Sequence, residues 1–395
     1  MPGPLTSLKI LDFTTLLPGP FATMMLADMG ADVVRVESPH RPDLVRQLPP
    51  FDEHISAWHA VLNRNKRSID LDLKHPQAAD VVRRLVKQGG YDIVIEQFRP
   101  GVMDRLGIGY EALRSATPAL IYCALTGYGQ NGPYRDRAGH DINYLALSGI
   151  LSYSGRRDSG PPPLGVQVAD IGGGSFGALV GLLAAVIHRH QTGEGQVVDI
   201  SMFDLMVAWQ SHLISHALVA GEAPAAEAMV LNGGRVYDLY QTADGRWLSV
   251  GSLEPKFWEG FCAAIERADL VDSGLSFDPQ ILKWVKVEVA KMISARSLDE
   301  WVAIFSTLDV CVEPLLSIPE MLEHPQTLAR ELIVEVPKPD GSTQKQIGTP
   351  IRFSAGQTEY RHVGRDLGAN TSEVLKEAGF TKKNIESLKA NRVFG

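Results

Sequence analysis

The sequence contains little cysteine, since only Cys123, Cys262 and Cys311 occur among its 395 residues. An odd, widely spaced set excludes a disulfide framework, and no CxxC pair suggests a zinc site. The longest apolar run, residues 176–187, contains two glycines and is too short to span a bilayer. The opening residues lack the charged and then apolar pattern of a secretory signal. We therefore expect a soluble, cytoplasmic protein with no membrane partner.

The sequence also has no excess of basic residues: 38 Lys and Arg stand against 46 Asp and Glu, a net charge of −8. This balance argues against a nucleic-acid partner, although a local basic cluster can still hold a small polyanion. Hydrophobic residues make up 45% and charged residues 21% of the chain. These are ordinary values for a globular protein, and they exclude extended disorder.

The order of predicted elements indicates an α/β fold with a parallel sheet. Short apolar strands alternate with helical patterns up to about residue 130, which is typical of βαβ units with a ligand site at the carboxyl ends of the strands. Beyond that point a long helix, a hairpin and further helices predict a smaller α+β domain. We expect a second, smaller domain from about residue 205 to 330. The predicted elements are strands at 8–13, 31–36, 92–98 and 120–126, helices at 19–29, 76–88 and 170–190, and a hairpin at 237–250.

Several cofactor and catalytic motifs are missing. The first βαβ turn, residues 14–22, reads TTLLPGPFA and not GxGxxG, and Pro18 and Pro20 remove two backbone donors that a pyrophosphate would need. No GxSxG segment supports a serine hydrolase. His212 and His216 have the i, i+4 spacing of zinc ligands but lack the glutamate of HExxH. We expect no metal and no cofactor.

Three segments carry candidate chemistry, each with a simpler alternative. The basic residues at 63–67 either bind phosphate oxygens or form a solvated loop. The segment 139–144, GHDINY, places His140 beside Asp141, which either belongs to a site or caps a helix. Asp170 precedes three glycines and a helix. It is either an N-cap or part of a site in which the glycines permit close approach of a ligand and backbone N–H groups stabilise an oxyanion.

These segments belong to a series of motifs that resembles the class III coenzyme A transferases, the CaiB/BaiF type, and most closely the α-methylacyl-CoA racemases among them. The resemblance covers nearly the whole chain. Its markers are LLPGPFATMMLADMGADVVRVESP at 16–39, LNRNKRSIDLDLK at 62–74, EQFRPGVMDRLG at 96–107, TGYGQNGPYRDRAGHDINYLALSGIL at 126–151, ADIGGGSFGALVGLLAAV at 169–186, TGEGQVVDISMFD at 192–204, TADGRWLSVGSLEPKFW at 242–258 and DVCVEPLLSIPEMLEHP at 309–325.

The resemblance implies a Rossmann-like large domain over 1–205 plus 330–395, a small domain over 206–329 and an interlocked homodimer, with an acyl-CoA as substrate. It also implies roles for three residues. Asp170 matches the nucleophile of the transferases and an acid/base of the racemases. His140 and Glu254 match racemase positions that the transferases often fill differently, which favours racemisation. In this interpretation His140 and Asp170 serve opposite faces of the α-carbon, Glu254 orients His140, and Gly172 helps to stabilise the enolate.

The same resemblance implies contacts with CoA. Lys74 and Arg99 are expected to face phosphates, and Leu16 and Leu71 to contact the adenine and pantetheine. Asp141 and Tyr144, which lie beside His140 in the sequence, are also expected to contact CoA. Two positions depart from the racemase pattern, because Ser38 replaces an arginine and Asn232 replaces the aspartate of an NMLDGG block.

Three functions remain open on these grounds. The first is an α-methylacyl-CoA racemase that acts by 1,1-proton transfer through an enolate. The second is a CoA-transferase in which Asp170 forms an acyl anhydride and then a CoA thioester. The third is a non-catalytic CoA-binding subunit, against which the intact set of His140, Asp170 and Glu254 argues. The sequence does not predict the acyl group.

Overall fold

The computed structural model describes residues 3–394 and divides into two compact units. The strands are β1 Lys9–Phe13, β2 Asp32–Glu37, β3 Phe51–Asp52, β4 Ile55–Ser56, β5 Arg67–Asp70, β6 Ile93–Glu96, β7 Ile121–Thr126, β8 Val197–Ser201, β9 Asp238–Gln241, β10 Trp247–Val250, β11 Val312–Pro314, β12 Ile333–Pro337 and β13 Thr343–Ile347. The α-helices are α1 Pro18–Asp28, α2 Ala57–Leu62, α3 Ala78–Lys87, α4 Val102–Arg105, α5 Tyr110–Arg114, α6 Asp141–Leu147, α7 Phe176–Thr192, α8 Met202–Trp209, α9 Ser211–Ala220, α10 Pro255–Ala264, α11 Val271–Gly274, α12 Pro279–Ile293, α13 Leu298–Phe305, α14 Ile318–Glu323, α15 Pro325–Ala329, α16 Thr371–Glu377 and α17 Lys382–Ala390. Short 3₁₀ turns occur at Leu44–Gln47, Ile150–Tyr153 and Ala268–Leu270, and a π-helical turn at Ala169–Ser175.

The first unit contains a six-stranded parallel sheet in the order β5-β2-β1-β6-β7-β8. Its inner strands are almost wholly buried because other elements cover both faces, which explains their continuous apolar runs. The strand order reverses direction between β1 and β6, so a crevice is expected at their carboxyl ends. The predicted α/β fold with a parallel sheet is confirmed.

The C-terminal part of the chain, from Thr327 onward, belongs to this first unit. Val374 lies in the same hydrophobic cluster as the sheet residue Val34. Helix α16 is also joined to β5 by an ion pair, in which Arg67 contacts Glu373 at 3.0 Å. Both contacts hold the last helices of the chain on the sheet.

One long helix of the first unit, Ala169–Thr192, joins the π-helical turn to α7. By length and composition alone this helix is long and apolar enough to cross a membrane. The sequence prediction considered only residues 176–187, which are too few to do so. Half of the helix's most apolar stretch is buried in the protein, and α7 packs on β7, β8 and α1. Core helices of globular proteins can have the same length and composition, and the packing of α7 on β7, β8 and α1 is typical of a core helix.

The second unit comprises Gly149–Pro163 and Trp209–Gln326. It contains the three-stranded antiparallel sheet β11-β10-β9. The predicted hairpin is confirmed, with Gly245 in its turn at a φ of +76°, a conformation that favours glycine. The core of this unit contains a row of stacked aromatic rings, those of Trp258, Phe261, Phe305 and Trp301.

The segment 149–163 falls in the large domain by the sequence prediction, whereas the structure groups it with the second unit. Its side chains explain the difference. Arg156 contacts Asp238 at 2.6 Å and Glu227 at 3.0 Å, and the Tyr153 hydroxyl donates to Gln210 Oε1 at 3.0 Å. These partners lie 57 to 82 positions away in the sequence, beyond the reach of local pattern reasoning.

Candidate functional site

A pocket of about 300 Å³ opens in the first unit at the carboxyl ends of β1, β6 and β7. The loops after these strands contribute to its walls, which is the place where open parallel sheets bind ligands. Three predicted site residues from other segments, His140, Tyr144 and Asp170, line the same pocket. The described lining residues are Thr15, Leu16, Pro18, Gln97, Phe98, Arg99, Pro100, Leu125, Thr126, Gly127, Tyr128, Arg135, Arg137, Ala138, Gly139, His140, Tyr144, Asp170 and Met202.

Hydrogen bonds connect the loops that surround this pocket. The Gly19 N–H at the start of α1 donates to Gln97 Oε1 at 3.2 Å, which joins the segments after β1 and β6. The Ser175 hydroxyl donates to the Pro18 carbonyl at 2.6 Å and so joins the start of α1 to the π-helical turn. These bonds tie together segments that are far apart in sequence, so the pocket walls are held to one another.

Asp170 is the second residue of the π-helical turn, and it lines the pocket. Burial, together with the nearby Asp141 carboxylate, raises the pKa of Asp170 from 3.8 to about 7. A carboxyl group with a pKa near neutrality takes up and releases protons readily at working pH, which suits general acid–base chemistry. A π-helical turn is itself rare and occurs frequently at functional sites.

Asp141 supports this turn from the neighbouring helix α6. Its Oδ1 accepts hydrogen bonds from the N–H groups of Ala169 and Asp170, at 2.6 and 3.2 Å. Burial raises the pKa of Asp141 as well. His140, not Asp141, occupies the N-cap position of α6, so the helix-cap alternative for Asp141 is wrong. The Asp141 carboxylate instead holds the backbone of the turn that carries Asp170.

The glycines after Asp170 have a different reason from the one expected. A Cβ on Gly174 would lie 3.0 Å from Pro18 and 3.1 Å from Met202, and a Cβ on Gly173 would lie 3.1 Å from Met206. These two glycines thus allow close packing of helices rather than close approach of a ligand.

Two of the backbone N–H groups expected to stabilise the enolate already donate to acceptors within the protein. The Asp170 N–H donates to Asp141 at 3.2 Å, and the Ile171 N–H donates to the Gln167 carbonyl at 3.0 Å. Both groups already have protein acceptors, so neither is free to hold an enolate oxygen. Gly172, which lies inside the π-helical turn, stays a prediction as an oxyanion donor.

His140 and Tyr144 lie at the start of α6, at the edge of the pocket. The His140 N–H donates to Asn143 Oδ1 at 3.0 Å, and the residue is exposed. The Tyr144 hydroxyl donates to the Gly139 carbonyl at 2.6 Å. A Cβ on Gly127 would lie 2.6 Å from the Tyr144 side chain, so the close approach of the loop after β7 to this ring requires glycine. The GHDINY segment is therefore a well-anchored helix start that carries His140.

The expected CoA contacts divide into two groups. Leu16, Arg99 and Tyr144 line the pocket, whereas Leu71 and Lys74 are not among its described lining residues. The Leu71 side chain is 0% exposed within the hydrophobic core, and a contact between Leu71 and CoA stays a prediction. Lys74 is exposed, beyond the end of β5.

Two further cations line the pocket, Arg135 and Arg137, and neither is among the residues predicted from the sequence. Both belong to the TGYGQNGPYRDRAGHD stretch, a few residues before His140. The spacing of these two arginines matches no known phosphate-binding motif. The only signal in the sequence is that they lie in the family-like stretch that also contains His140. With Arg99 they give the pocket three arginines, which suits a ligand that carries phosphates.

The basic cluster at 63–67 is neither a phosphate site nor a solvated loop. Arg64 contacts Asp28 at 2.7 Å, and Lys66 contacts Asp12 at 3.2 Å, with all four side chains almost fully buried. Burial of Lys66 lowers its pKa from 10.5 to about 8, which the Asp12 carboxylate only partly opposes. These cations hold α1 and β1 in place, since their charges are neutralised inside the protein.

The second unit has a cavity of its own, of about 1010 Å³, lined in part by Met229, Val230, Leu231 and Val250. Most of its exposed surface is apolar. Arg156, the only arginine or lysine among the described lining residues, is paired with two carboxylates, at 2.6 and 3.0 Å. The cavity therefore suits an apolar group better than an anion.

The departure at Asn232 is explained by hydrogen bonding in the wall of this cavity. Its Nδ2 donates to the carbonyls of Tyr153 and Ala225, at 3.1 and 2.9 Å, and its Oδ1 accepts from the Met229 N–H at 2.7 Å. An ionised aspartate has no donor for the two carbonyls, so asparagine fits this arrangement better.

The other departure, Ser38, lies at the end of β2 in the first unit. Its hydroxyl accepts a hydrogen bond from the His40 N–H at 3.3 Å, and its backbone forms an isolated β-bridge with Arg41. Ser38 thus shapes a turn and is not among the described lining residues of the pocket.

Glu254 belongs to the second unit, where it precedes α10 and is exposed. Its negative charge helps to raise the pKa of the Cys311 thiol, after burial as the larger cause, so Glu254 lies near a residue that lines the cavity. The expected contact between Glu254 and His140 stays a prediction. Among residues 3–394, no group of three or more His, Cys, Asp or Glu side chains has an arrangement that would hold a metal.

Comparison with known proteins decides the family. The family model described as CoA-transferase family III matches residues 5–371. The chain belongs to this family. It is 35% identical to the alpha-methylacyl-CoA racemase of Homo sapiens, over 98% of this chain and 97% of the human protein. It is also 35% identical to the succinate–glutarate CoA-transferase of Agrobacterium fabrum, over 95% of each chain. Both activities therefore occur among family III relatives of equal identity.

Solved structures agree with membership of CoA-transferase family III. A CAIB/BAIF family protein from Brucella suis superposes with a TM-score of 0.82 at 28% identity, covering 96% of this chain and 100% of that one. The predicted fold and family are confirmed by this match.

The raised pKa of Asp170 predicts a pH-dependent effect of Asp170→Asn on stability. A carboxyl whose pKa rises from 3.8 to about 7 on folding makes the folded state less stable as pH rises between these values, and the loss is complete above about pH 7. We expect Asp170→Asn to stabilise the protein by about 2–4 kcal/mol at about pH 8, and by much less at about pH 4.5. Urea unfolding of both proteins at the two pH values measures this. An equal difference at both would contradict the assigned pKa.

Proposed function

We propose that the protein is an α-methylacyl-CoA racemase, which interconverts (R)- and (S)-2-methylacyl-CoA thioesters by 1,1-proton transfer through an enolate. The observation that carries the proposal is the placement of Asp170 and His140 along one pocket at the carboxyl ends of the sheet. Inversion of a carbon centre needs one group to remove the α-proton from one face and a second group to deliver a proton to the other. Two titratable side chains in one pocket meet this requirement.

The charge state of Asp170 supports this assignment. With a pKa of about 7, the carboxyl is partly ionised at neutral pH, so it acts as a base in one direction and as an acid in the other. The α-proton of a thioester is only weakly acidic, so the enolate must be stabilised as it forms. Protonated His140 is a suitable cation for that purpose, and the resemblance assigns its orientation to Glu254.

The CoA part of the substrate is assigned to the same pocket. The three arginines Arg99, Arg135 and Arg137 supply positive charge for the phosphates, and Leu16 and Tyr144 supply apolar surface. Every contact in this assignment comes from side chains of the chain itself, and no cofactor is part of the proposed reaction. The predicted phosphate contact at position 74 rests on the resemblance alone.

A CoA-transferase is the second candidate, and the transferase relative of equal identity favours it. In this reaction the Asp170 carboxylate attacks the thioester carbonyl, releases CoA thiolate and forms a mixed anhydride. The thiolate then attacks the Asp170 carbonyl of that anhydride, which releases the first acyl group as a carboxylate and leaves a CoA thioester on Asp170. A second carboxylate accepts the CoA through the same steps in reverse.

Proton NMR of the purified protein with a 2-methylacyl-CoA in deuterium oxide tests the proposal, with and without added succinate. We expect loss of the α-proton signal in the absence of succinate. A persistent α-proton, with a new thioester formed only after succinate is added, would replace the racemase by the transferase. Binding of CoA with neither reaction would indicate the non-catalytic subunit.

We also propose that two copies of the chain associate, as the resemblance implies for an interlocked homodimer. Helix α9 supports this, because none of its residues is buried and Leu218 and Val219 are 81% and 88% exposed. An apolar helix face of this kind favours a protein partner over water. Light scattering that gives a single mass near 43.1 kDa at working concentration would refute the dimer.

A further inference from the structure

The first loop of the pocket contains a residue in an unfavourable backbone conformation. Leu16 has a φ of +62°, in the left-handed region. This region is sterically disfavoured for residues with a Cβ and is uncommon outside glycine, asparagine and aspartate. Leu16 lines the pocket, so the unfavourable conformation lies at a functional wall rather than at a remote turn. Such conformations persist only where the surroundings impose them.

A buried carboxylate imposes this conformation. The Leu16 N–H donates to Asp43 Oδ2 at 2.9 Å. Asp43 is 3% exposed, and its other oxygen accepts the Val45 N–H at 3.1 Å. The Asp43 N–H in turn donates to Glu37 Oε1 at 3.3 Å. Asp43 is therefore fixed by its own segment and offers one oxygen to the first loop, 27 positions earlier in the sequence.

Arg35 holds the same carboxylate from the sheet. Its Nη2 donates to Asp43 Oδ2, and the arginine is 1% exposed. Within the described part of the chain, its Nε and Nη1 have no hydrogen-bond partner, although Nε lies 3.5 Å from Glu37 Oε2. Burial of a cation with incomplete hydrogen bonding is unfavourable unless a nearby anion compensates for it. Asp43 thus joins a rigid strand, β2, to the strained residue in the pocket wall.

We propose that Asp43 is a positioning residue for CoA recognition, which keeps Leu16 in its left-handed conformation and thereby sets the shape of the pocket wall. Without this acceptor, Leu16 relaxes to a negative φ, and its side chain and the loop at 15–17 leave the positions that line the pocket. The inference rests on the proposed binding of a CoA thioester in this pocket, but it does not depend on which reaction follows.

Asp43→Ala and Asp43→Asn test this proposal, with Asp28→Asn as the matched control. Asp28 is also a buried carboxylate that contacts a buried arginine, Arg64 at 2.7 Å, in the same unit, but it is not among the described lining residues of the pocket. We expect Asp43→Ala to raise the Kd for CoA by about 10–100-fold, which corresponds to the loss of one hydrogen bond to a charged group. Asp43→Asn retains one acceptor oxygen, so a smaller increase is expected.

Two readouts separate positioning from a general loss of structure. At saturating acyl-CoA, kcat of the Asp43 variants is expected to stay within about threefold of the wild type, while KM rises with Kd. Asp28→Asn is expected to lower the unfolding midpoint and leave the Kd unchanged. An Asp43 effect on Kd no larger than that of Asp28→Asn, or a lower kcat at unchanged Kd, would overturn the inference.

A separate experiment tests whether Asp43 acts through the backbone conformation of Leu16. It still applies if Asp43→Ala does not fold. Glycine adopts positive φ without steric cost, so the effect of Asp43→Asn on Kd should shrink in a Leu16→Gly background. Equal effects in both backgrounds would show that Asp43 does not act through Leu16. A wild-type protein that binds no CoA would defeat the proposed function itself, whereas unchanged binding in the Asp43 variants would defeat only this inference.

Discussion

Replacement of Asp170 by asparagine is expected to lower the rate of inversion of a 2-methylacyl-CoA by about 10²–10⁴-fold, the range typical for loss of a general acid–base group. The amide keeps the size of the side chain but neither takes nor gives the α-proton. Asp141 accepts hydrogen bonds from two backbone N–H groups of the π-helical turn, at 2.6 and 3.2 Å, and the Asp170 side chain takes no part in them. The turn is therefore expected to remain in place. Binding of CoA should therefore change little.

The measurement combines chiral analysis of the product with α-proton exchange, for each enantiomer separately. In a two-base site the remaining base, His140, still exchanges the proton on its own face. Asp170→Asn is thus expected to abolish exchange from one enantiomer, to retain some from the other, and to slow the inversion of both by the factor given above. Asp199→Asn is a suitable control, because burial also raises the pKa of Asp199, which is not among the described pocket-lining residues.

A different pattern would identify the transferase. If Asp170 is a nucleophile, wild-type protein with acyl-CoA alone should accumulate an acyl-enzyme that hydroxylamine traps at residue 170, and the asparagine variant should not. Loss of CoA transfer in that variant, without any α-proton exchange in the wild type, would then assign Asp170 to covalent catalysis.

Much of the fold is predictable because local patterns decide it. The strands β1, β2, β6 and β7 appear within a few residues of their expected ranges, since buried parallel strands are recognisable as short apolar runs between helices. The position of the pocket also follows from strand order and the rule for parallel sheets. The motif at 139–144 and Asp170 are distinctive in sequence, and the structure places both at that pocket.

The rest depends on partners that are distant in sequence. Arg64 is paired with a carboxylate 36 positions away, and Lys66 with one 54 positions away, so their charges suggest a phosphate site that does not exist. The left-handed Leu16 depends in the same way on the carboxylate at position 43. Gly173 and Gly174 suggest ligand approach in the sequence alone, because the side chains that pack on them come from other segments. Local sequence carries no trace of such contacts.

The second large effect is expected for His140→Ala, and it should mirror that of Asp170→Asn. Inversion of both enantiomers should fall by about 10²–10⁴-fold, because one face of the α-carbon loses its acid/base. Exchange should persist for the enantiomer whose proton Asp170 removes. That residual exchange is expected to rise with pH through about 7, because Asp170 acts as a base only when it is ionised. His188→Ala, at an exposed histidine on α7, provides the control.

The two variants together decide the reaction more sharply than either does alone. In a racemase they lose exchange on opposite enantiomers, which requires two bases on opposite faces of one carbon. In a transferase, His140→Ala should retain most of the CoA transfer, since the nucleophile is intact, while Asp170→Asn removes it. Loss of exchange from the same enantiomer in both variants would mean that one residue acts through the other, and the two-base assignment would then fail.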